Sequence, residues 1–137
     1  MLLYQDSILQ LEYDPATDIL EMEWPDLEPA QLPEVKQALK VMVETVRDYD
    51  VKKLLVDGSK SSVSISDEEN TSLVLKLAQD FTATRLQKIA RVESTDLKTE
   101  TNVAENHHKI QQSMVINFQM LNFPDRSTAL AWLKSAS

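Results

Sequence analysis

The residues best equipped for chemistry form one joint. Lys53-Leu54-Leu55-Val56-Asp57-Gly58-Ser59 leads into Lys60-Ser61-Ser62-Val63-Ser64-Ile65-Ser66-Asp67-Glu68-Glu69. A short apolar run feeds a hydroxyl-rich loop that ends at a helix start, and Gly58 is the single glycine among 137 residues. Ser59, Ser61 and Ser62 are the phosphorylation candidates. A phosphate there would meet the free N–H groups and positive end of the following helix, with Lys60 able to pair with it. Asp67, Glu68 and Glu69 oppose the added negative charge. Ser66 is poorly suited, because Ser66-Asp67-Glu68-Glu69 reads as a capping box in which its hydroxyl accepts from the Glu69 N–H.

A second group is Asp57, Gly58, Ser94, Thr95 and Asp96, expected beyond the carboxyl ends of parallel strands, where open α/β sheets receive ligands or partners. Two carboxylates there could hold a divalent cation or serve as acid and base. Capping of turns accounts for Asp57 and Asp96 without either role. His107 and His108 are adjacent on a helix and point about 100° apart, so they cannot share a metal as histidines at i and i+4 do. His107 falls on an apolar stripe and His108 toward solvent. No Ser/His/Asp arrangement is readable, and one glycine cannot build a Walker loop or a Gly-x-Gly-x-x-Gly turn. No catalytic residue, metal ligand or cofactor is assigned. Trp24, Trp132, Tyr13 and Phe123 could line an apolar pocket, although aromatics at element ends are more often core.

The elements that must position these residues follow from periodicity. Residues 8–13 and 19–24 flank the turn Asp14-Pro15-Ala16-Thr17-Asp18, and Leu20, Met22 and Trp24 alternate with Glu21 and Glu23, which predicts an antiparallel hairpin. Val35, Leu39, Met42 and Val46 predict a helix over 33–48. Residues 53–57 are a buried strand. Leu73, Leu77, Ala78 and Phe81 mark a second helix ending near Arg85. Residues 88–93 are a strand, Val103, His107, Ile110 and Met114 stripe a third helix that follows Thr99-Glu100-Thr101, and 117–123 is the last strand. Asp125 caps a final helix with Ala129, Leu130 and Leu133 inward and Trp132 beside them. The order β-β-α-β-α-β-α-β-α predicts an α/β domain over 1–137, a mixed sheet in which an N-terminal hairpin precedes right-handed βαβ crossovers.

Composition narrows the function classes. The net charge is -8, and the 14 basic residues are scattered, which disfavours nucleic acid and anionic membranes. The absence of cysteine rules out disulfides, thiolate metal sites and cysteine nucleophiles. No apolar run reaches the roughly 20 residues that span a bilayer, no signal peptide is readable at the start, and the cytoplasm is the expected location.

The element order resembles the STAS domain, the SpoIIAA-like fold of anti-sigma-factor antagonists, and more closely the small stand-alone bacterial STAS/SEC14-like proteins. The likeness rests on 19–24 ending in tryptophan, Leu54-Leu55-Val56-Asp57, Ile65-Ser66-Asp67-Glu68, Lys88-Ile89-Ala90 and Ala129-Leu130-Ala131-Trp132-Leu133. It implies a non-catalytic regulatory or protein-interaction module, gated in the antagonist branch by phosphorylation of a serine after the third strand. Ser59 is the nearest positional match, then Ser61 and Ser62, although the family's Asp-Ser-Ser-Gly joint is replaced here by a longer loop. The implied partner is another protein or a second copy of this chain. The SEC14 side implies the alternative, a carrier of a small apolar ligand or lipid, in a pocket between the sheet and the last two helices.

Overall fold

The computed structural model describes residues 1–135, so the last two residues of the expected domain lie outside the described residues. The elements are β1 (Leu2–Gln5), β2 (Gln10–Asp14), β3 (Ile19–Glu23), α1 (Leu32–Asp48), β4 (Lys53–Asp57), α2 (Asp67–Thr82), β5 (Lys88–Val92), α3 (Leu97–Ser113), β6 (Gln119–Phe123) and α4 (Arg126–Lys134). One sheet runs in the order β1-β2-β3-β4-β5-β6. The first three strands are antiparallel and the rest parallel. The mixed α/β class, with parallel strands joined through helices, is as expected.

Three details differ from the sequence reading. The N-terminus is a three-stranded meander, not a hairpin, because β1 adds a strand outside β2. The segment expected to lie at the edge is therefore internal, and β1 and β6 are the edges. Helix α3 begins at Leu97, not after Thr101, because Asp96 caps it: Lys98 N–H donates to Asp96 Oδ1 (3.2 Å) and Thr99 Oγ1 to Oδ2 (2.8 Å). Helix α2 stops at Thr82, three residues before the expected end.

The β2–β3 turn forms without glycine. Asp14 accepts from Ala16 N–H and the Thr17 hydroxyl, and Asp18 takes a positive φ of 58°. The Tyr13 hydroxyl donates to Asp18 Oδ1 at 2.7 Å, and that bond, with burial and nearby carboxylates, pushes the phenol up to about 12.

The parallel register sets the two faces. On one face the paired rows are Leu20, Leu54, Ile89, Met120 and then Met22, Val56, Arg91, Asn122. The first row is apolar throughout, while the second turns polar toward β6. Helices α1, α2 and α3 cover this face, burying Val35, Met42, Leu73, Phe81 and Ile110 against it. The opposite face carries α4 alone, whose Ala129 and Leu133 meet Ile19, Leu55, Ala90 and Val92. Lys88 is only 4% exposed. Its Nζ donates to the Trp132 carbonyl (3.3 Å) and to Ser135 O and Oγ (3.2 Å each), and lies 5.0 Å from the Trp132 ring centroid. A buried ammonium is thus compensated by the carbonyl end of α4. Among the described residues no helix is long and apolar enough to cross a membrane.

Candidate functional site

The loop between β4 and α2 is built from local hydrogen bonds. Asp57 Oδ1 accepts both Ser59 N–H (3.0 Å) and the Ser59 hydroxyl (2.6 Å). Gly58 N–H donates to the Val92 carbonyl at 3.0 Å. A Cβ at Gly58 would stand 3.0 Å from that carbonyl oxygen and 3.1 Å from Arg91 Nη2. Close approach to β5 therefore requires the glycine, and its φ is not positive. Ser61 Oγ donates to the Gly58 carbonyl (3.3 Å), and Ser62 N–H donates to Asp26 Oδ1 (2.9 Å). An isolated parallel bridge joins Val63 to Leu27. The capping box forms: Glu69 N–H donates to Ser66 Oγ (3.1 Å) and Ser66 N–H to Glu69 Oε1 (3.5 Å). Ser59 and Ser62 are exposed, while Ser61 is half-buried.

At the neighbouring strand end, Ser94 Oγ accepts from Asp96 N–H (3.1 Å) and Thr95 is exposed. Asp57 and Gly58 lie at the end of β4, beside the β5 end that leads to Ser94, Thr95 and Asp96. The topology thus brings the five residues to one edge. Their carboxylates, however, serve separate turns: Asp57 holds Ser59, and Asp96 holds the start of α3. Among the described residues, no three His, Asp or Glu side chains group to hold a metal ion. His108 is exposed and sits 3.0 Å from Gln112 Nε2, whereas His107 is half-buried on the inner side of α3.

That inner side faces a cavity of about 130 Å³ walled by α2, α3 and the two sheet rows and open in part to solvent. Over it α3 packs on α2. Its walls are mainly apolar, with Trp24, Val56, Val74, Phe81, Ile89 and Phe118 among them. Of the four aromatics considered from sequence, Trp24 alone reaches it. Trp132 and Phe123 pack against each other on the opposite face at 5.5 Å, and Tyr13 lies against Tyr49 at 6.5 Å. The pocket also lies under the second and third helices, not the last two, because α4 occupies the other face.

Polar groups enter this apolar chamber at defined points. Thr99, Asn102, Val103, Asn106, His107 and Ile110 recur at helical spacing along α3 and all line it. Asn70 contributes from the first turn of α2. Arg91 rises from β5 and forms a two-pronged pair with Glu100 (Nη1–Oε1 2.7 Å, Nη2–Oε2 2.9 Å), while Ser94 N–H also donates to Glu100 Oε2 (3.0 Å). Burial pushes the Glu100 carboxyl up, but the Arg91 and Ser94 bonds outweigh it and hold the group below its ordinary value. Sequence reasoning does not single out Asn70, and weighs Asn102 and Asn106 only as neighbours of the histidine pair that add nothing to a metal site. The available signal was their type: carboxamides at positions where the helical period calls for core residues.

No family model matches this chain, and no curated protein matches it. One solved structure is similar. It is a chain from the crystal structure of diguanylate cyclase SiaD in complex with its activator SiaC from Pseudomonas aeruginosa, 13% identical, with 90% of this chain and 99% of that chain covered and a TM-score of 0.40. A superposition that loose carries no argument about function.

Proposed function

We propose that the domain is a non-catalytic binding module that takes up a small, largely apolar molecule in the cavity between α2, α3 and the sheet. The single observation that supports this reading is the cavity itself: about 130 Å³ of space walled mainly by apolar side chains. Well-packed cores leave few voids larger than a water molecule, and an apolar cavity of roughly 150 Å³ in another protein stays dry and binds benzene. The volume suits one ring or a short chain, and a diacyl lipid is too large for it. Ligand-detected NMR with benzene checks this. Saturable binding that Ala78→Leu removes is the expected result, since Ala78 lines the cavity and a larger side chain there would fill it. The more conservative Val103→Leu gives the same reading should the first variant pack poorly.

A second reading has its own observation. Ser59 is exposed, and its hydroxyl and N–H both hold Asp57. Phosphorylation would replace a 2.6 Å hydrogen bond with repulsion between two anions and open the turn. On this reading the edge of Asp57, Gly58, Ser94, Thr95 and Asp96 meets a protein partner, and phosphate on Ser59 (or on Ser61 or Ser62) gates the contact. Mass spectrometry of the protein from its native cell tests it, and no phosphate on the three serines across growth conditions would remove the gate.

A further inference from the structure

We infer that the ligand is an uncharged molecule with a ring-sized apolar body and one hydrogen-bond acceptor, a carbonyl being the simplest, received by the side-chain amides of Asn70 and Asn106. This rests on the ligand-binding reading above and names the chemical class that the site would take.

Asn70 is 7% exposed and lines the cavity, yet its side-chain amide has no hydrogen-bond partner among the described residues. Among the described residues no fully enclosed side-chain polar atom lacks a partner, so this amide reaches the open space of the chamber. Asn106 is 5% exposed. The Thr71 hydroxyl donates to its Oδ1 at 2.6 Å, which fixes the amide's orientation and leaves both Nδ2 hydrogens without a protein acceptor. Buried polar groups are nearly always paired, and a lone one in an apolar setting is destabilising. The two amides together offer four N–H donors and one acceptor, so the complementary group is acceptor-rich.

Charge is excluded by the rest of the wall. Arg91 is the charged side chain lining the cavity, and Glu100 takes both of its Nη groups. His107 is the other titratable group there. A carboxylate or ammonium head would enter an apolar chamber whose one arginine is already neutralised by Glu100, which is unfavourable.

The test compares two probes of equal size, acetophenone and cumene, with benzoate as the charged control, by calorimetry or NMR titration on the intact chain. The expected result is that the acetophenone-to-cumene affinity ratio falls about five- to tenfold in Asn70→Leu, the worth of one net hydrogen bond. Cumene binding should be unchanged or tighter, and benzoate should not bind. Asn106→Leu, which removes the donors together with the Thr71 contact and adds no charge, should also lower the ratio. Asn70→Leu should raise the melting temperature of the empty protein, whereas a purely structural amide would lower it on removal. If cumene binds and neither variant moves the ratio, the acceptor assignment is wrong while the cavity reading stands. If neither probe binds the parent protein, both fall together. Should Asn70→Leu fold poorly, Asn70→Ala provides the same comparison of ratios.

Discussion

The serine loop and the cavity under α3 adjoin one another, and Ser61 belongs to both. Their polar groups are treated differently. In the loop, Asp57 is engaged by Ser59, Asp26 by Ser62, and Glu69 by Ser66. In the cavity, the Asn70 amide and half of the Asn106 amide face space with no protein partner. The loop is rich in residues that can do chemistry, but its own folding accounts for most of them. The cavity contains fewer, and folding pairs Arg91, Thr99 and Asn102 but leaves the Asn70 amide and the Asn106 donors unused. A polar group already paired within its own turn explains structure. A buried polar group without a partner asks for something from outside.

Substitutions can break or sharpen this contrast. The largest effect should come from Leu54→Ala. Leu54 is fully buried and lines the cavity, so its truncation should lower stability by about 2–5 kcal/mol in urea melts. It should also enlarge the chamber and improve binding of bulkier aromatics, whereas a loop-based site would gain nothing. Gly58→Ala comes next, at about 1–3 kcal/mol, because the new Cβ presses on the Val92 backbone and on an Arg91 side chain already held by Glu100. Denaturant titration would measure it, and benzene affinity should change little.

Ser66→Ala should cost about 1 kcal/mol by removing the α2 cap. The loss should leave the loop's exposed serines and the cavity's ligands untouched, which separates capping from function at this joint. The smallest effect should come from pH. Glu100 is held below its ordinary value, so its pairing with Arg91 contributes fully above pH 4.5 and is lost as the pH falls through the lowered folded-state pKa. Acid should therefore loosen the start of α3 from β5, visible in the Ser94 amide resonance, and Glu100→Gln should abolish that pH response.

The contrast also explains what could be read from the sequence. Alternation in β3, the helical period of α1 and the Ser66–Glu69 box were legible because each is a local pattern fixed by local bonding. β1 was not, since four residues without alternation resemble a tail until pairing with β2 gives them a role. The side of the sheet taken by α4 was not legible either. Ala129 and Leu133 show an apolar stripe but not which row of strands it meets. Nor was the burial of Lys88 legible, because its partners lie 44 or more residues away. The loop drew attention because chemistry-bearing residues cluster there in sequence. The place of the expected pocket was not legible, because Asn70, Asn102 and Asn106 are spread over two helices and converge only when α2 and α3 pack.

The most direct test of the central claim is a methyl-NMR titration of the intact protein with benzene. The account predicts saturable shifts at the methyls of Val74, Val103 and Ile89, which line the cavity. The Ser59–Ser62 amides should stay still apart from Ser61, and Ala78→Leu should erase the response. Shifts that fail to saturate, or that centre on the loop while the three cavity methyls do not move, would contradict it.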